Sequence, residues 1–210
     1  NPLTGVQDSF IVVSPQAASW SYNYTELKYI LPNILSRYRV DTSRIYLTGL
    51  SAGGGGTFST FGSRDGNFIK QFAAMVTASS AGTNASNGYT AEQVEAGIRF
   101  GSTHGVRLWT IAGDQDYLFS TDVRYHDSSN MLNPAPPNKL TVIVGVGHST
   151  WGNAYDPAFR PTINYYGNNG TCVNGCNNGG IPVAPNTNGS SVMGSGVTQD
   201  SLNIYEWLLL

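Results

Sequence analysis

The chain has 210 residues, 40% of them hydrophobic, enough for one large domain with its own core, which argues against disorder. Only 11% are charged, against about 25% in an average soluble domain, and the net charge is −2, so no basic footprint for nucleic acid exists. No apolar run approaches the roughly 20 residues that span a bilayer as a helix, so a soluble protein is expected. Its polarity comes from 25 Gly and abundant Asn, Ser and Thr, residues that build loops able to hydrogen-bond neutral substrates.

In chain order, Phe10-Ile11-Val12-Val13 is a short apolar, β-branched run stopped by Ser14-Pro15 and predicts a buried strand. Leu27, Ile30, Leu31, Ile34, Leu35 and Tyr38 recur at helical spacing, with Pro32 predicting a kink or a start near Leu31. Arg44 to Thr48 is the second predicted strand, followed by Gly49-Leu50-Ser51-Ala52-Gly53 and three further glycines. Strands are then expected at Phe72 to Thr77, Val106 to Ile111 and Leu140 to Val144, with helices at Ala91 to Phe100 and Ser120 to Leu132 between them. Strands alternating with helices predict an α/β domain with a mostly parallel sheet flanked by helices, and ligands at the strands' carboxyl ends. A polar Asn/Gly-rich stretch, about residues 152 to 197, is expected to be a surface insertion. A last helix, Ser201 to Leu210 with Ser201 as N-cap, should close the domain. No repeat or second domain is visible, so residues 1 to 210 form one predicted domain.

Cys172 and Cys176 are the only cysteines and lack the second pair or nearby His that zinc needs. A small loop disulfide worth about 2 kcal/mol or less, in an oxidising compartment, is expected. Two free thiols in a cytosolic protein is the plainer alternative. A chain beginning at Asn1-Pro2, with neither initiator Met nor a signal peptide's apolar segment, is expected to be processed, excised or incompletely recorded. N-x-S/T acceptor sites at Asn23, Asn84, Asn169 and Asn188 matter only in a secretory eukaryotic setting.

The chemistry centres on Gly49-Leu50-Ser51-Ala52-Gly53, a G-x-S-x-G run lying after a predicted strand and before a predicted helix. That turn lifts the Ser51 hydroxyl above the sheet and aims the Ala52 backbone N–H at a developing oxyanion. A serine hydroxyl is a poor nucleophile near neutral pH, so a base must take its proton and a third group must orient that base. His148, in Gly147-His148-Ser149-Thr150-Trp151, follows the fifth predicted strand on the same edge and is the expected base. His104 falls on the opposite edge and His126 inside a helix, which suits surface or packing roles. No H-E-x-x-H or comparable metal spacing exists, and no metal or cofactor is implied. Asp114 and Asp116 both follow the fourth predicted strand, and spacing alone does not separate them. Whichever does not orient His148 should cap turn amides. Asp122 ranks third for orienting His148, because after Ser120-Thr121 it suits the first turn of a helix, where a carboxylate complements the dipole. Trp151 could border the substrate mouth or simply pack under the next loop, and Tyr155 starts at the same rim.

The order Ser51, Asp116, His148 is that of the α/β-hydrolase triad. From Phe10 to Leu210 the chain resembles the bacterial esterase branch of that superfamily, which includes feruloyl and acetylxylan esterases, polyhydroxybutyrate-depolymerase-like proteins and carboxylesterases. The resemblance rests on Phe10 to Gln16, Val40-Asp41 with Arg44 to Ser51, Gly113 to Asp116, Gly147-His148 to Trp151 and Glu206 to Leu209. It implies that Asp116, three residues after Gly113, is the triad acid. It also implies a second oxyanion donor from a His-Gly loop after an earlier central strand, a strand lying between those of Phe10 to Val13 and Ile45 to Thr48. Nothing ahead of Phe10 resembles that strand or loop, so residues upstream of Asn1 are expected in the functional protein.

The resulting expectation is a secreted or periplasmic serine ester hydrolase acting on a small-molecule or polysaccharide-linked ester. Two alternatives remain open at this point. One is a serine peptidase of the prolyl-oligopeptidase type, which shares the triad order. The other is a non-catalytic carbohydrate-binding or adhesion module on the same fold.

Overall fold

The computed structural model describes residues 4–81, 88–130, 138–161, 164–166 and 202–209, with side chains throughout except in 127–130 and 164–166. Helix α1 (Tyr24–Arg37) leads into strand β1 (Tyr46–Leu50), helices α2 (Ala52–Gly62) and α3 (Gly66–Ile69), β2 (Ala74–Ala78), α4 (Ala91–Thr103) and β3 (Arg107–Gly113). Then come α5 (Phe119–Asn130), β4 (Lys139–Ile143), α6 (Trp151–Ala154), β5 (Asn164–Tyr166) and α7 (Ile204–Leu208). The strands lie in chain order, β1 to β4 parallel and β5 antiparallel to β4. The architecture is α/β: a four-stranded parallel sheet flanked by helices.

Sequential parallel strands joined by right-handed crossovers put every crossover helix on one face of the sheet. The period-2 alternation of the strands sorts the core accordingly. Met75 and Leu108 turn to the crossover face and pack with Phe58, Phe61, Val94 and Ile98 of α2 and α4. Ala74, Val76, Ala78, Trp109 and Ile111 turn the other way and meet Ala154 of α6 and Trp207 of α7. All five residues of β2 are buried, as a central parallel strand requires.

Four sequence expectations need correction. Phe10-Ile11-Val12-Val13 is not a strand: Ile11, Val12 and Val13 are 59%, 79% and 44% exposed, and only Phe10 is anchored, between Tyr46 and Tyr205. An apolar β-branched run becomes a strand only through a ladder partner, and among the described residues none pairs with it; β1 forms the sheet edge. The first helix starts at Tyr24, eight residues before Pro32, which sits inside it. Its start is fixed by a reciprocal capping box between Asn23 and Glu26, a signal legible in Asn23-Tyr24-Thr25-Glu26. The stretch expected to open the surface insertion instead begins with α6 and β5, which join the fold. Of the last helix, Asn203 is the N-cap, boxed with Glu206. The expected cap Ser201, Cys172 with Cys176, and the acceptor sites at Asn84, Asn169 and Asn188 lie outside the described residues.

Exposure at Val12 and burial at Val76 make contrasting expectations. Val12→Ser should change unfolding free energy by less than about 0.5 kcal/mol, whereas Val76→Ala should cost about 2 kcal/mol. Urea titration of both variants checks this, and a costly Val12→Ser would mean that the segment is buried after all.

Candidate active site

The carboxyl ends of β1, β2, β3 and β4 share one edge, and the chain turns there into every residue of interest. Ser51 lies directly between β1 and α2 with φ 47° and ψ −117°, a conformation L-residues rarely adopt. The sharp turn brings the end of β1 so near the start of α2 that a Cβ at Gly49 would sit 2.2 Å from the Gly53 carbonyl oxygen. Glycine is required there. The Ser51 carbonyl accepts two backbone bonds, from Gly55 at 3.1 Å and Ala81 at 2.9 Å, which pin the turn to the end of β2. Ser51 does not use its side chain as a helix cap. Its Oγ lies 2.8 Å from His148 Nε2.

His148 Nδ1 lies 3.0 Å from Asp116 Oδ2. Asp116 is an acceptor when ionised, so this contact assigns the ring proton to Nδ1 and leaves the Nε2 lone pair for the Ser51 hydroxyl, which donates to it. The Asp116 side chain is fully buried while the imidazole is 27% exposed. Its other oxygen, Oδ1, accepts the Leu118 N–H at 3.0 Å. The carboxylate is thus held from both sides and the imidazole is reachable from solvent.

Asp114 takes the other role that the sequence left open. Its Oδ1 accepts the Gly145 N–H at 2.7 Å, closing the turn after β4. The loop carrying His148 then crosses so low over β3 that a Cβ at Gly113 would stand 2.1 Å from the Val146 carbonyl oxygen. Gln115 N–H donates to that same carbonyl at 3.0 Å.

The remaining expected residues fall as follows. Ala52 is the first residue of α2, where backbone N–H groups have no acceptor within the helix; its carbonyl accepts the Ser21 hydroxyl at 2.5 Å. Trp151 both packs on the core and meets the His148 ring edge-on at 5.7 Å. Tyr155 turns its hydroxyl to Thr48 Oγ1 at 2.5 Å. His104 caps α4 and stacks on Phe100, and His126 is buried within α5. The sequence reading missed Tyr117, 78% exposed, whose ring lies 5.2 Å from the imidazole on a second side. Its adjacency to Asp116 was the available signal.

Asp122 lies in the first turn of α5, but not as a dipole-complementing anion. It is fully buried, and no side chain among the described residues hydrogen-bonds its carboxyl oxygens. Burial, and then the nearby charge of Asp116, hold its carboxyl well above the usual carboxylate range.

The native state therefore binds the Asp122 proton more tightly than the unfolded chain, so this group's contribution to stability falls as pH rises past the unfolded value of about 3.9. Asp122→Asn lacks that loss. Its stability relative to wild type should rise from pH 4 to pH 7 in urea titrations, and a pH-independent difference would refute a neutral Asp122.

No protein-family model and no curated protein matches the chain. Among solved structures it is similar to a ferulic acid esterase, with 24% identity and a TM-score of 0.44 over 60% of this chain and 54% of that one. The likeness therefore spans about half the length of that structure.

Proposed function

We propose that the protein is a serine carboxylic-ester hydrolase of the α/β-hydrolase type, a single catalytic domain acting on short-chain or carbohydrate-linked esters. The reading is carried by one observation: the unbroken line from Ser51 Oγ to His148 Nε2 at 2.8 Å and from His148 Nδ1 to Asp116 at 3.0 Å, starting on a strained strand-to-helix turn. A serine, an imidazole of defined tautomer and a buried carboxylate in this geometry can generate an alkoxide-like nucleophile without a metal or cofactor.

In the proposed reaction Ser51 Oγ attacks the ester carbonyl carbon as His148 Nε2 takes its proton. Asp116 holds the ring and stabilises the imidazolium. The Ala52 N–H donates to the tetrahedral oxyanion. Collapse expels the alcohol, which receives the proton from His148, and leaves an acyl group on Ser51. Water then attacks the acyl carbon, giving its proton to His148, and the acid departs as Ser51 is regenerated. Tyr117 and Trp151, against two sides of the imidazole, are in place to cover the bound acyl group. Secretion or a periplasmic location belongs to this proposal through the expected Cys172–Cys176 pairing.

With p-nitrophenyl acetate, Ser51→Ala and His148→Ala should lower kcat by roughly 100,000-fold or more and Asp116→Asn by roughly 10,000-fold. Asp114→Asn retains an oxygen for the Gly145 N–H and should stay within about threefold of wild type. A fluorophosphonate should label Ser51 in the wild type alone of the Ser51 pair. Faster cleavage of a peptide anilide than of p-nitrophenyl acetate and methyl ferulate would overturn the esterase reading.

A further inference from the structure

Behind the triad lies a second pair of hydroxyls that the proposed reaction does not use. Ser79 follows β2 immediately, is fully buried, and has φ 43°, so a non-glycine residue occupies the left-handed region inside the protein. Its Oγ lies 2.8 Å from Thr150 Oγ1, also fully buried. Thr150 Oγ1 lies 3.4 Å from the Ile111 carbonyl, and the Thr150 N–H donates back to Ser79 Oγ at 3.4 Å. One arrangement of protons satisfies all three contacts: Ser79 donates to Thr150, Thr150 donates to Ile111, and Ser79 accepts from the Thr150 N–H. Ile111 O also accepts the Ser79 N–H at 2.8 Å, so the ring closes on the backbone of β3.

Thr150 also stands at the N-cap of α6, where a threonine hydroxyl ordinarily accepts a backbone N–H of the first turn, yet it makes no such bond. The hydroxyl is turned inward instead. Two local preferences are therefore set aside at one contact: the backbone preference of Ser79 and the capping preference of Thr150. Thr150 is two residues from His148, and the Ser149 N–H bonds to Gly147 O at 2.8 Å, so little slack lies between the contact and the imidazole. Local strain that persists in a buried position is found where the surrounding structure requires a particular placement.

We propose that the Ser79–Thr150 hydroxyl contact is a positioning clamp that ties the His148 loop to the ends of β2 and β3 and sets the distance from His148 Nε2 to Ser51. The inference rests on the catalytic reading of Ser51, His148 and Asp116. Ser79 and Thr150 are positioning residues, since neither touches the proposed reacting atoms.

The test compares Ser79→Gly, Thr150→Val and Thr150→Ser by p-nitrophenyl acetate kinetics, fluorophosphonate labelling rate and thermal unfolding. Ser79→Gly removes the hydroxyl while relieving the backbone, so its melting temperature should hold. Both hydroxyl deletions should lower kcat and the labelling rate about 10- to 100-fold, the scale of a small misplacement of a catalytic group, with KM within about threefold. Thr150→Ser restores the hydroxyl and should recover most of the rate. If Thr150→Val fails to fold, Ser79→Gly decides alone. Folded Ser79→Gly with kcat within twofold of wild type, or equal losses in Thr150→Ser and Thr150→Val, overturns the clamp. An inert wild type overturns the catalytic reading and the clamp together, whereas a reactive wild type with unaltered variants overturns the clamp alone.

Discussion

The parallel register of β1, β2 and β3 is the constraint on which everything at the carboxyl edge depends. Leu50 pairs with Ala78 and Ala78 with Ile111, so β1 and β2 finish level while β3 runs two residues further, to Gly113 opposite Ile143. Each ladder then runs one bond further, from Ser51 N–H to Ala78 O, from Ser79 N–H to Ile111 O and from Asp114 N–H to Ile143 O. Ser51, Ser79 and the turn holding Asp116 are thus anchored before their side chains make any contact. A slip of one residue would move a strand end by about 3.3 Å and turn its side chains to the other face.

Two unfavourable backbone conformations stand immediately past the ends of β1 and β2. Ser51 and Ser79 both carry positive φ at the first position past a strand, each a cost of the order of 1–3 kcal/mol. Asp122 is buried near Asp116, its carboxyl held well above the usual carboxylate range, and within β2 and β3 Thr77 and Thr110 keep hydroxyls without partners among the described residues. Otherwise the same strands are apolar, with Val76, Leu108, Trp109 and Ile111 fully buried. The buried sheet over-determines the strained residues at its carboxyl edge, which is how such an edge can keep geometry that its own residues would not choose.

How much of this could be read beforehand depended on how local the cause was. Ser51 and His148 were legible because a glycine-flanked serine and a glycine-preceded histidine follow apolar strands on the same edge. The choice between Asp116 and Asp114 was not legible from spacing: both leave β3, and what separates them is a turn that gives Asp114 the Gly145 N–H and Asp116 the imidazole. Phe10 to Val13 misled because β-branched composition describes a strand's surface and not its ladder partner, which is non-local. The start of α1 is written locally in the Asn23–Glu26 box, whereas Pro32, a residue that commonly opens or breaks a helix, lies in its interior. The burial of Asp122 and the inward turn of the Thr150 hydroxyl are not legible in the sequence because burial against another element leaves no trace in nearby residues.

The opposite edge of the sheet is organised for closure. Arg107, first residue of β3, lies over the Trp207 ring at 4.5 Å and donates to the carbonyls of Trp207 and Leu208 at 3.1 and 3.2 Å, finishing a five-residue helix that propensity alone would not hold. Trp207 in turn meets Trp109 edge to face. From Arg107 to Gly113 an extended strand runs about 20 Å, beyond the range at which substitutions ordinarily couple. Arg107 and the loop carrying His148 thus stand apart, yet α7 also reaches α6, through the Tyr205 hydroxyl on the Tyr155 carbonyl and a core shared by Trp207 and Trp151, so a change in α7 is expected to be felt beside His148 by way of α6.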